Sequence, residues 1–259
     1  MDGPERWTLD GQRALVTGAT RGIGRAIAEE LLQLGAHVTV VARHRQDIDI
    51  LVSEWLKRGL PARGIAADVS SPDDVERIAA QVRAERRLDI LVNNAGTNIR
   101  KGTLEFTRDE VDFLFRTNLF PAFDLSSALH SLLKASGHAS IVNIVSVAGL
   151  TSLGTGAPYA MAKAAIIQLT RYLAVEWAHD GIRVNAVAPW YIRTPLVEPL
   201  LAEPATVQRI LDRTPMRRIG EAAEVAAAVG FLTMPAASYI TGQCLSVDGG
   251  FTAYGYSRE

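Results

Sequence analysis

A single cysteine, Cys244, stands in 259 residues, so no internal disulfide can form and a reducing compartment is the expected setting. Charge of neither sign predominates: 27 Lys and Arg face 28 Asp and Glu, a net −1. There is no basic field to hold a nucleic acid or an anionic membrane, and neither is an expected partner. No apolar run approaches the roughly 20 residues that a membrane helix needs. Met1 to Asp10 carries Asp2, Pro4, Glu5 and Asp10 where a secretory leader needs an apolar stretch. A cytoplasmic location is the expectation. The five histidines, His37, His44, His130, His138 and His179, lack Cys or acidic neighbours at ligand spacing, and no metal site is expected. Repeats, low-complexity tracts and interdomain linkers are lacking too. With 48% apolar residues the chain can close one large core, and one α/β domain over 1–259 suits this length better than two.

What is present is an alternation. Short β-like runs at Arg13–Thr17, His37–Ala42, 63–67, 89–93, 140–146, 183–188 and Cys244–Val247 are separated by helix-length stretches. Those stretches lie at 23–34, 47–57, 72–85, 108–135, 159–178 and 221–232. Runs such as Ile90-Leu91-Val92 are apolar without alternation, as strands buried on both faces are. The pattern predicts a doubly wound α/β fold, a parallel seven-stranded sheet flanked by helices. Ligands of such sheets bind beyond the carboxyl ends of the strands, where Asn93, Ser146 and Pro189 fall. Ser71-Pro72-Asp73-Asp74 has the composition of a helix start. The stretch 189–215, rich in Pro and branched residues, has no helical or strand period and is expected to form an irregular lid over about 190–215.

Gly18-x-x-x-Gly22-x-Gly24 lies between the first strand and the first helix. Its glycines allow a tight turn and a close approach to a pyrophosphate, which meets the free N–H groups of the helix N-terminus. The end of the second strand separates NAD from NADP, because an acid there bonds the ribose 2′-hydroxyl and repels a 2′-phosphate. Here the strand ends Val41-Ala42-Arg43-His44-Arg45, with no acid before Asp47. Arg43 can bond the phosphate, with Arg21 reaching from the glycine loop, and NADP(H) is the expected cofactor. The bland alternative makes Arg43 and Arg45 solvated charges. Asp68, at the third strand's end, either accepts the adenine amino group or caps the Ser70-Ser71 backbone.

Tyr159 and Lys163 are four residues apart, with Ser146 thirteen residues before the tyrosine. On a helix the pair shares one face. An ammonium beside the phenol favours the phenolate and lowers its pKa, giving a group able to exchange a proton with a substrate hydroxyl.

Together Thr17-Gly18-x-x-x-Gly22-Ile23-Gly24, Asn93-Asn94-Ala95-Gly96, Asn118, Ser146 and Tyr159-x-x-x-Lys163 resemble the short-chain dehydrogenase/reductase superfamily, from about Trp7 to Gly250. Within it the chain looks most like tropinone-reductase-like proteins, through Trp7-x-Leu9-x-Gly11, Leu88 to Gly96, Glu176-Trp177-Ala178 and Pro235 to Tyr239. The resemblance implies a single Rossmann-type domain and a set of roles. Ser146 stabilises charge on the carbonyl oxygen, and Tyr159 gives or takes the proton. Lys163 depresses the tyrosine pKa and bonds the cofactor ribose. Asn118 holds a relay water, Asn93 and Gly96 line the nicotinamide-ribose end, and Thr194 bonds the carboxamide. Thr20, Ile23, Val69, Asn94, Ala95, Pro189 and Ile192 join the cofactor contacts.

One departure stands out. Many family members have Pro-Gly where this chain has Pro189-Trp190, as some tropinone-reductase-like homologues do. The indole either reshapes the pocket or turns away and packs under the lid. The lid holds Trp190, Tyr191, Ile192, Leu196, Val197, Leu200 and Leu201, with Arg193 and Glu198 as its charges. That wall favours a small, largely apolar, uncharged ketone or its alcohol, with little to offset the desolvation of a carboxylate. Alternatives are an NAD-linked sugar-acid or polyol dehydrogenase, a 3-ketoacyl-carrier reductase, and a non-catalytic NADP-binding regulator. Phe113, Phe115, Leu119 and Phe123 are too many for one apolar stripe, and the resemblance points to a homotetramer, or a dimer, assembled through the helices around 108–135 and 159–178.

Overall fold

A computed structural model describes residues 3–255. The ends of the domain expected over 1–259, and Met1 and Asp2 of the polar N-terminus, lie outside the described residues. After a single turn at Pro4–Trp7 the elements are β1 (Arg13–Thr17), α1 (Gly22–Gln33), β2 (His37–Ala42), α2 (Arg45–Lys57), β3 (Ala62–Ala66) and α3 (Pro72–Arg83). There follow β4 (Ile90–Asn93), α4 (Arg108–Asn118), α5 (Phe120–Ser136), β5 (Ala139–Ile144), α6 (Ala157–Glu176) and β6 (Ile182–Pro189). The chain continues through β7 (Ile192–Arg193), α7 (Glu198–Leu201), α8 (Pro204–Asp212), β8 (Gly220–Glu221), α9 (Ala222–Thr233) and β9 (Cys244–Val247).

Seven strands form one parallel sheet in the order β3-β2-β1-β4-β5-β6-β9, the doubly wound arrangement expected from the sequence. Successive strand residues enter opposite cores. Val16 and Ile90 pack with Ile27, Leu31 and Val229 on the face covered by α1 and α9. Leu15 and Leu91 pack with Ile78, Leu125 and Leu173 beneath α3, α5 and α6. Burial of both faces is why these strands read as unbroken apolar runs. The order reverses between β1 and β4, which opens the crevice where such sheets bind ligands.

Three departures from expectation bear on the site. The single helix expected over 108–135 is two, α4 and α5, because Pro121 has no N–H to donate and its ring crowds the preceding turn. The break leaves Asn118 as the last residue of α4. β5 ends at Ile144, and Ser146 opens a short turn over Val147–Gly149. The irregular lid holds two helices, α7 and α8, each with a proline in its first turn. Their short length hid them, since periodicity needs two or three turns to register.

At the base of the sheet, Arg183 of β6 closes the carboxyl end of α9. Its guanidinium donates to the carbonyls of Leu232 (2.7 Å), Thr233, Met234 and Ile240 (each 3.3 Å). No described helix is long and apolar enough to cross a membrane.

Candidate active site

A cavity of about 420 Å³ lies beyond the carboxyl ends of the central strands. Its floor begins with the turn after β1. A methyl group on Gly24 would overlap the Gly18 carbonyl oxygen and the Asn94 side-chain nitrogen, so only glycine lets α1 start this close to the strand. That nitrogen donates to the carbonyls of Thr17 (2.9 Å) and Gly18 (3.1 Å), tying the Asn94 turn to the glycine loop. The N-terminus of α1 has no capping side chain and no acid in its first turn. Its free N–H groups form a cradle for an anion. Arg21 and Arg43 line this end, and among the described residues neither makes an ion pair. Arg45 instead pairs with Asp49 of its own helix at 3.0 Å. Asp68 Oδ1 accepts from the backbone (2.9 Å) and hydroxyl (2.8 Å) of Ser70, so the capping role is filled while Oδ2 stays open.

At the other end α6 presents Tyr159 and Lys163 one turn apart. The lysine is buried, 4% exposed, and its ammonium donates to the Ile144 carbonyl at 3.0 Å and lies 5.7 Å from the Tyr159 ring centre. Burial pushes Lys163 down to about 8. Tyr159 is half-buried on the cavity wall, and desolvation raises its pKa against the opposing hydrogen bond of Ser146 and the positive charge of Arg100. The sequence argument expected Lys163 to lower the phenol. In this structure burial of the phenol wins, and Arg100 is the cation acting on it. Gly96 sits where a methyl would come 2.7 Å from Asn118 Oδ1 and 3.4 Å from the lysine nitrogen, which draws this turn against both side chains.

The cavity gathers every residue singled out for catalysis or cofactor contact: Gly18, Thr20, Arg21, Gly22, Ile23, Gly24, Arg43, Asp68, Val69, Asn94, Ala95, Gly96, Asn118, Ser146, Tyr159, Lys163, Pro189, Ile192 and Thr194. Asn93 is the exception. Its amide points into the core beneath the sheet, donating to Asn143 Oδ1 (2.9 Å) and Ser126 Oγ (3.3 Å). Strand alternation sends neighbours to opposite faces, so Asn93 braces β4 from below. Asn118 is held locally, accepting from Thr97 N–H (3.1 Å) and donating to the Leu114 carbonyl (2.8 Å).

Trp190 has turned toward the C-terminal segment. Its ring stacks on Phe251 with centres 3.9 Å apart and planes 11° from parallel, and its N–H donates to Thr214 at 3.1 Å. One edge still borders the cavity beside Tyr191 and Leu196. Sequence reasoning missed Asn98, Arg100, Thr117 and Thr155, which line the same cavity. Asn98 Oδ1 and the hydroxyls of Thr117 and Thr155 are buried without a hydrogen-bond partner. Only their position just after the β4 strand end hinted at Asn98 and Arg100.

Comparison with known proteins agrees with this geometry. The family model described as enoyl-(acyl carrier protein) reductase matches residues 18–252. A tropinone reductase homolog of Arabidopsis thaliana is 49% identical, over 99% of this chain and 98% of its own. The crystal structure of a gluconate 5-dehydrogenase from Burkholderia cenocepacia, in complex with NADP and tartrate, superposes with a TM-score of 0.93 at 35% identity, covering 97% of this chain and 99% of that one. A 7α-hydroxysteroid dehydrogenase complexed with NADH and 7-oxo glycochenodeoxycholic acid gives 0.92 at 32% identity, covering 96% and 98%.

Proposed function

The chain belongs to the short-chain dehydrogenase/reductase family, and from that premise we propose that it is an NADP(H)-dependent carbonyl reductase or alcohol dehydrogenase. It interconverts a small, largely apolar ketone and its secondary alcohol, as a single cytoplasmic domain over 1–259 assembled into a homotetramer. The observation that carries this reading is the meeting of Ser146, Tyr159 and Lys163 in one cavity with an uncapped helix N-terminus and two unpaired arginines.

The glycine turn and the α1 N-terminus suit the pyrophosphate, while Arg21 and Arg43 suit a 2′-phosphate. Thr194, Pro189 and Ile192, which line the cavity, would flank the nicotinamide, which when bound supplies or accepts the hydride. Ser146 holds the carbonyl oxygen and stabilises the charge that grows on it. Tyr159, whose pKa is raised by burial, is loaded with its proton at neutral pH and delivers it to that oxygen. Lys163 fixes the ribose hydroxyls and adds positive charge on that side, and Asn118 orders the turn beside it. The lid side chains Tyr191, Leu196 and Val197 supply the apolar wall. A second reading, a sugar-acid dehydrogenase, is favoured by the likeness to the gluconate 5-dehydrogenase structure.

Calorimetric titration of native protein and Tyr159→Phe with NADPH and NADH, followed by turnover on a ketone panel, tests the proposal. NADPH should bind at least about tenfold more tightly, one charge-assisted bond's worth. Tyr159→Phe should keep that affinity and lose at least about a hundredfold in kcat, the scale of general acid catalysis. Equal affinities would refute the cofactor assignment, and a variant that still turns over ketones at more than a few per cent of the native rate would refute the mechanism.

A further inference from the structure

Beyond its apolar lid the cavity has a polar side. The loops leaving β4 and β5 meet where Asn98 Nδ2 donates to the Thr155 carbonyl at 3.0 Å. This contact leaves Asn98 Oδ1 and the Thr155 hydroxyl buried and unpaired, and the Thr117 hydroxyl on α4 is unpaired too. These three atoms have almost no accessible surface, so their residues border the cavity through other atoms. Arg100 lines the same space, and among the described residues its guanidinium makes no ion pair or hydrogen bond. The cavity's two carboxylates, Asp47 and Asp68, belong to the other end, beside Arg43 and Val69. The substrate end therefore carries two cations, Arg100 and Lys163, and no acid.

We propose that the substrate is a keto acid or hydroxy acid whose carboxylate, remote from the reacting carbonyl, binds Arg100 on the acid-free side of the cavity. The inference rests on the ketone-reductase reading but departs from the uncharged substrate expected from the lid alone: the body of the substrate faces the apolar lid, and one end is anionic. The lid comes off β6 and the polar loops off β4 and β5, so the two environments are built by different parts of the sheet. The positive charge of Arg100, an exposed residue on the cavity wall, also acts on the Tyr159 phenol. A carboxylate at Arg100 would mute that influence and leave Tyr159 more firmly protonated, the state that reduction requires.

The test pairs each acid with its methyl ester, which removes the charge and keeps the ketone. Chains of graded length, 4-oxopentanoate, 5-oxohexanoate and 6-oxoheptanoate, cover the unknown separation of carbonyl and carboxylate. With NADPH, at least one acid should surpass its ester about tenfold or more in kcat/KM, mainly through KM. Arg100→Gln should bring that ratio close to one, and Arg100→Lys should restore part of it. Calorimetry of the same acids on the NADP⁺-loaded protein gives a readout independent of turnover, with binding expected in the native protein and at least tenfold weaker in Arg100→Gln. Esters that match or surpass every acid would overturn the inference, as would no binding of any acid to the loaded native protein, or an Arg100→Gln variant that keeps the native ratio. Acid binding that depends on Arg100, without turnover of any ketone, would uphold the carboxylate site and sink the ketone-reductase reading instead.

Discussion

At the scale of single residues, Lys163 shows a conflict between chemistry and stability. Burial holds its pKa at about 8, well below the ordinary lysine value. The unfolded chain therefore binds this proton more tightly than the folded one, and charging the lysine costs stability. The cost is present in full below about pH 8 and shrinks as the pH rises toward the unfolded value. Lys163→Met should thus be inactive yet more stable at pH 7, by about 1–2 kcal/mol after the orphaned Ile144 carbonyl is counted against it. Urea midpoints at pH 7 and pH 10 check this: the advantage should fade at the higher pH, and a constant offset would count against the burial argument. Some of the residues that sequence did reveal share a property. Gly18, Gly22, Gly24 and the Asn94 turn act largely through backbone geometry, which short motifs encode directly. Asn98, Thr117 and Thr155 became visible only when three dimensions left their polar atoms unpaired. Asn93 was misdirected because a motif letter does not say which face of the strand it takes.

Elements were legible wherever their period lasted several turns or both faces were buried. All seven sheet strands and the long helices fall close to their expected places, whereas the division at Leu119 and the two lid helices did not emerge. Pro121 was in plain view, yet apolar residues continue across it, and the broad hydrophobic pattern masked the stop. Arg183 likewise gave no signal, because its four carbonyl partners come from a helix end and turn about fifty residues away. It closes α9 with positive charge at the negative end of the helix dipole. Arg183→Met should cost about 3 kcal/mol through the orphaned carbonyls. Chemical denaturation would read this as a lower midpoint at unchanged slope; a loss under 1 kcal/mol would mean that water replaces the guanidinium.

On the scale of the whole molecule, the outward faces of α5 and α6 are unusually apolar. Phe120, Phe123, Tyr172 and Val175 are 48%, 51%, 63% and 81% exposed, a surface that a solitary chain would leave in water. The proposed homotetramer would cover it. Sedimentation velocity should find native tetramers, and Phe123→Asp with Val175→Asp should release smaller species; native monomers would dismiss the assembly. The same scale joins the lid to the far end of the chain, since Trp190 bridges Thr214 after α8 and Phe251 in the C-terminal segment. Of the four tryptophans, Trp55 is sealed in the core, while Trp190 has one edge on the cavity. Its stacked ring and its single hydrogen bond are both lost or strained if 190–215 moves. Movement of that segment would therefore register in the ultraviolet, as a change in the emission of one indole, and the protein carries its own optical gauge of the lid without any attached dye.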